Sequence, residues 1–183
     1  SSCSNNPGLY PIIFLHGHSF VKQNSPEYSL DAFNKLQSKL QDDGYLNAGI
    51  VSLYSKNEGR QPGVWGMSGK PITVKASYYY DAFNTGSKYI IVPTKSESID
   101  TYALRMKDII EIVKERTGKP KVNLVAHSMG GLVVRRYIQI FGSNDVDKLV
   151  VIAAPNKGVS QDIGKYCGYI GENNECRDMI AGS

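Results

Sequence analysis

Short apolar runs alternate with longer amphipathic stretches along the chain. Pro11 to Leu15 (PIIFL) and Leu149 to Ala153 (LVVIA) are apolar throughout, and Val122 to Ala126 (VNLVA) nearly so. Runs that are apolar on both alternating sides predict strands buried on both faces, as in a parallel sheet. Gly49 to Tyr54 (GIVSLY) predicts a further strand. Between these runs the period becomes helical. From Ser25 to Asp43, Leu30, Phe33, Leu36 and Leu40 recur at helical spacing. Ser25 can cap that helix, Pro26 suits its first position and Gly44 stops it. Ser98 to Thr117 gives the clearest helical pattern, with Ile99, Tyr102, Ala103, Met106, Ile110 and Val113 on one stripe. Asp100 in its first turn and Arg116 in its last suit the macrodipole, and Gly118 and Pro120 end it. Ser128 to Phe141 predicts a third helix, closed by Gly142.

The predicted order is strand, helix, strand, insertion, helix, strand, helix, strand. Such alternation implies an α/β fold with a mostly parallel sheet and helices on both faces. The 183 residues fit one domain, 1–183. Residues 55–97, rich in Gly and Pro, are longer than an ordinary loop and are expected as an insertion at the sheet edge or over a site. Within them Ile72 to Tyr80 is compatible with a strand in a hairpin.

Composition narrows the class. An apolar content of 41% and a charged content of 21% fit a soluble globular domain. The net charge of +4 is mild and the basic residues are mixed with acids, so nucleic acid is not an expected partner. No apolar run is long enough to cross a bilayer. With no initiator Met and no signal peptide, the chain is expected to have been processed, trimmed or truncated at its front. Cys167 and Cys176 bracket the polar loop GYIGENNE, where a disulfide would suit an oxidising compartment. The plainer alternative is two unrelated thiols. Cys3 is then odd, either free or paired elsewhere.

The stretch from Val122 to Gly131 (VNLVAHSMGG) carries the chemistry. A buried strand runs directly into a helix with Ser128 at the corner. This is a nucleophile elbow of the G-x-S-x-G type, with Ala126 in place of the first glycine. The turn is tight, so small residues must flank the serine, and Ala126 and Gly130 meet that demand. Gly131 lets the helix lie close to the sheet. At a helix N-terminus, free N–H groups and the dipole favour negative charge, which makes the Met129 N–H a natural oxyanion donor. The loop after the first strand, His16-Gly17-His18-Ser19, is expected to supply the second donor, the N–H of His18. The competing readings are a serine that only caps a helix and an ordinary strand-end turn. Trp65 and Tyr78 to Tyr80 could line an acyl pocket, form a lid, or serve as core aromatics of a solvent-facing hairpin.

PIIFLHGHS, SIDTYALRMKDIIEIVKERTGKPKV, AHSMGGLVVRRYI and VDKLVVIAAPNKGV resemble, in this order from Pro11 to about Val159, the triacylglycerol lipases and related esterases of the α/β-hydrolase superfamily. The resemblance implies an acyl-enzyme on Ser128, with His18 and Met129 as oxyanion donors. It departs after the strand that follows the elbow, where Ala154-Pro155-Asn156-Lys157-Gly158 stands for the usual Thr-Pro-His-x-Gly.

In this fold the acid and then the histidine base follow the serine. The three histidines here, His16, His18 and His127, all precede it. His16 and His127 are expected to play structural roles, and Asp162 and Asp178 lie too early to be the acid. The fold is therefore expected to lack its C-terminal part, with the catalytic Asp and His beyond residue 183. The alternatives are a noncatalytic hydrolase-like module, or a thioesterase, amidase or acyltransferase on the same fold. The chemistry calls for no metal or organic cofactor. The expected partners are an ester or lipid substrate, a lipid surface and a remaining C-terminal segment. The expected location is secreted or at the cell surface.

Overall fold

A computed structural model describes residues 6–17, 31–53, 62–78, 80–84, 89–93 and 97–154. Its elements are β1 (Ile12–His16), α1 (Asn34–Asp42), β2 (Leu46–Ser52), β3 (Ile72–Ser77), β4 (Tyr80–Asn84), β5 (Tyr89–Pro93), α2 (Ile99–Thr117), β6 (Val122–His127), α3 (Met129–Phe141) and β7 (Val146–Ile152). Five strands form one sheet in the order β2-β3-β1-β6-β7, and β4 and β5 form an antiparallel pair. Every pairing in the large sheet is parallel, as the apolar runs imply.

The main core lies between one sheet face and α2 and α3. Ile13 and Leu15 of β1, Val74 and Ala76 of β3, and Leu124 and Ala126 of β6 meet Tyr102, Met106, Ile110, Val133 and Tyr137 there. Alternation puts Phe14 on the other face, where its ring lies 4.9 Å from that of Phe33, just ahead of α1. The helix expected over residues 25–43 is corrected in its described part, where α1 starts at Asn34 after a turn at 32–33 with Phe33 at its N-cap; residues 25–30, with the expected cap Ser25 and Pro26, lie outside the described residues. Its expected apolar stripe is corrected. Leu36 is 41% exposed, whereas Gln37 is buried. The sheet under α1 is partly polar, and the Gln37 amide reaches Asn47 Oδ1 at 3.3 Å and Thr73 Oγ1 at 3.4 Å.

Two strands differ from expectation. β2 begins at Leu46 rather than Gly49, because an edge strand holds solvent-facing positions that an apolar run does not mark. Ile72–Ser77 lies between β1 and β2 in the parallel sheet and is not a hairpin arm. The segment expected as an insertion thus contributes a core strand, and the hairpin is the β4–β5 pair that comes next. The strong helical signal at 98–117 is met by α2. Ser98 caps it by accepting from Thr101 N at 3.2 Å, and Gly118 closes it at φ +65°. Among the described residues no helix is long and apolar enough to cross a membrane.

Candidate active site

β1 has β3 on one side and β6 on the other. From β1 the chain builds one half of the sheet with β2 and β3, then returns to build the other with β6 and β7. The order reverses between β1 and β6, and ligand sites of open parallel sheets lie beyond the carboxyl ends of strands at such a reversal. Those ends are His16-Gly17 and His127-Ser128, and His16 pairs with His127 in register.

Ser128 joins β6 to α3 with φ 54° and ψ −131°. Its positive φ is strained for a residue with a Cβ, and such strain is held only where the surroundings fix it. Here they do: Ser128 N donates to Ile152 O at 2.9 Å, and Ser128 O accepts from Gly131 N at 3.0 Å. The side chain stands at the corner, half-buried, at the mouth of the strand ends.

Met129 opens α3 and is fully buried. Its N–H is among the first of the helix, which have no acceptor within it. The small residues expected around the serine are needed for close approach. A Cβ on Gly130 would stand 2.9 Å from Leu15 O, and one on Gly131 would stand 2.7 Å from both Val151 Cγ1 and Ala154 Cβ. Gly17 touches the elbow from the other strand, where a Cβ would come within 2.6 Å of Met129 N.

The loop leaving β1 is tied down on several sides. Gly17 N donates to His127 O at 3.1 Å, and Tyr78 O–H donates to His16 O at 3.1 Å. His16 Nδ1 lies 2.6 Å from Gly17 O, and His127 Nδ1 lies 3.1 Å from His16 Nε2. The two imidazoles are 4.7 Å apart between centroids. Burial, and next the adjoining His16 ring, hold the His127 imidazole below the usual histidine range.

The structure thus brings Ser128 and Met129 together beside Gly17. His18, Cys167 and Cys176 lie outside the described residues, as do Asp162 and Asp178. Trp65 stands beside the C-terminal end of α2, whereas Ser128 follows the carboxyl end of β6. Trp65 sits in the 3-10 turn Val64–Ser68, with Arg116 5.1 Å from its ring centroid and Gly63 N on Glu115 O at 2.8 Å. That end of α2 leads into the start of β6, at the end of the strand opposite Ser128. Sequence reasoning missed the His16–His127 contact. The available signal was that two strands predicted to be parallel each end in a histidine just before a functional loop.

Residues 64–166 match the family model of the α/β hydrolase fold. The chain belongs to the α/β-hydrolase family. No curated protein matches it. Among solved structures this α/β hydrolase is similar to phospholipase PlaB from Legionella pneumophila, with a TM-score of 0.54 and 17% identity. The likeness covers 95% of this chain and 33% of that one, so the hydrolase chain spans about a third of its neighbour's length. At that identity the similarity speaks to the fold.

Proposed function

We propose that this α/β hydrolase is the nucleophile-bearing part of a serine carboxylic ester hydrolase, a lipase or carboxylesterase. The observation that carries the reading is Ser128 itself. It is a non-glycine residue at φ 54°, at the carboxyl end of a central strand and the start of a helix. A serine that served only as a cap would sit in extended backbone, as Ser98 does at φ −72° and ψ 161°. Ser128 makes no side-chain cap bond to its helix, which leaves its hydroxyl for chemistry.

In the proposed reaction Ser128 Oγ attacks the ester carbonyl carbon and its proton passes to a general base. The Met129 and His18 N–H groups hold the oxyanion, the alcohol leaves with a proton, and water then releases the acid. In this fold the acid and the histidine base follow the serine, so the reading assigns the base to a histidine later in the protein than Ser128. Lipid esters are the substrates to try first, because the structural neighbour is called a phospholipase. A lipid surface is then a natural partner, and a Cys167–Cys176 disulfide would accord with a secreted or cell-surface location.

Hydrolysis of matched ester, thioester and amide substrates by the protein as it occurs in its source tests the reading. The ester is expected to turn over fastest, and Ser128→Ala is expected to lower kcat by roughly a thousandfold or more. Turnover unchanged in Ser128→Ala would overturn it.

A further inference from the structure

The geometry points to Tyr78 as a positioning residue for the nucleophile corner. It lies outside the elbow, and its hydroxyl fixes the peptide plane that flanks the Met129 N–H. The inference rests on the ester-hydrolase reading and adds one residue to its machinery.

The brace begins with a planar unit. The His16–Gly17 peptide is trans, so the His16 carbonyl and the Gly17 N–H point in opposite directions. The N–H goes to β6, where it donates to His127 O at 3.1 Å. The carbonyl therefore points to the β3 side. The register between β1 and β3 ends at Leu15 and Ala76, one residue before that carbonyl. Tyr78, just past the end of β3, donates its hydroxyl to it at 3.1 Å. One peptide plane is thus held from both sides, by the backbone of β6 and by a tyrosine side chain. The plane ends in Gly17 Cα. A Cβ built there would stand 2.6 Å from Met129 N and 3.2 Å from Met129 Cα. A tilt of the plane would therefore press Gly17 onto the backbone that carries the oxyanion donor, or draw it away.

Tyr78 is itself held firmly enough to serve as a brace. It is buried, with its ring edge-on to that of Tyr102 at 5.2 Å between centroids. Its carbonyl accepts from Arg105 Nη1 at 3.1 Å. Arg105 in turn stands 5.6 Å from the Tyr102 ring centroid and 3.8 Å from Glu97 Oε1. Tyr102 and Arg105 belong to α2, so the brace ties the end of β1 to a helix across the core. A buried tyrosine hydroxyl needs a partner wherever it lies. Tyr137 meets that need away from the site, donating to Asp145 Oδ2 at 3.1 Å beside the start of β7. Tyr78 meets it on a carbonyl that shares a peptide plane with Gly17.

Steady-state ester hydrolysis by the protein as it occurs in its source tests the brace, with each variant checked for native melting. Tyr78→Phe removes the hydroxyl and keeps the ring. Tyr137→Phe makes the same change elsewhere in the core. Tyr78→Phe is expected to lower kcat roughly 10-fold with KM within about twofold, since misplacing a group by about 1 Å can cost about a hundredfold. Tyr137→Phe is expected to keep kcat within about twofold of wild type. If Tyr78→Phe does not fold, Arg105→Met reads the brace from α2, with kcat expected to fall about threefold at unchanged KM. Wild-type kcat in Tyr78→Phe, or in Arg105→Met where that variant is the one read, overturns the inference and leaves the ester-hydrolase reading standing. An equal fall in Tyr78→Phe and Tyr137→Phe overturns it too, because it would mark a general loss of core packing. A wild type inert toward every ester refutes the underlying reading, and the positioning role with it.

Discussion

A Cβ added to Gly17 would stand 2.6 Å from the backbone nitrogen of Met129. The loop that leaves β1 and the first residue of α3 therefore meet with room for a hydrogen and no more. Both sides of that contact are backbone, so neither can rotate aside. Gly17→Ala is expected to push the loop off the elbow, at about 1–3 kcal/mol for an overpacked contact. Ester turnover should fall by at least tenfold, with a lower melting temperature. Unchanged kinetics would mean that this contact does not shape the site.

Gly131 tests the packing of the elbow helix away from the reacting groups. Its added Cβ would meet Val151 Cγ1 and Ala154 Cβ at 2.7 Å. Gly131→Ala is expected to destabilise the fold by about 1–3 kcal/mol, read from the urea midpoint. A neutral or stabilising result, as a helical Gly→Ala change in open space would give, would contradict the close helix–sheet approach.

Strain at the nucleophile is measurable by removing it. A left-handed backbone costs a residue with a Cβ about 1–2 kcal/mol, and glycine adopts it freely. Ser128→Gly is expected to raise stability by about 1 kcal/mol while abolishing turnover. A loss of stability would argue that the positive φ of Ser128 is not strained.

The His127 imidazole sets a pH dependence. Its folded-state pKa lies below the unfolded value, through burial first and the His16 ring second. Between the two values the unfolded chain binds more protons, so its contribution is constant above about pH 6.5 and stability falls as the pH drops below that. His127→Phe should flatten this slope in denaturation series from pH 7 to pH 5. An unchanged slope would show that His127 is not the group responsible.

The parallel core was legible in the sequence because β1 is buried on both faces and spells an unbroken apolar run, and β6, buried on alternate positions, is interrupted only by Asn123 before its final histidine. The elbow was legible because its chemistry is local: Ala126, Ser128, Gly130 and Gly131 must be adjacent to make a tight strand-to-helix corner. β3 was harder to read, because Lys75 interrupts ITVKAS, and its side chain is largely covered where it reaches Asn34 of α1 and Asp31. β2 was hidden by its exposed edge. Gln37 misled the helix stripe, since a polar residue is buried there by pairing with Asn47 and Thr73. Trp65 invited a place in the site by its chemistry, yet the Gly63–Glu115 bond holds it at the opposite end of α2. The histidine couple depends on the register between β1 and β6, two strands more than 100 positions apart in the chain, which no local pattern encodes.

The most direct measurement is intact mass before and after treatment with a fluorophosphonate, on the protein as it occurs in its source. A reactive Ser128 gives one covalent adduct, mapped to the peptide that contains it and absent from Ser128→Ala. No adduct, or an adduct that persists in Ser128→Ala, would contradict Ser128 as the nucleophile.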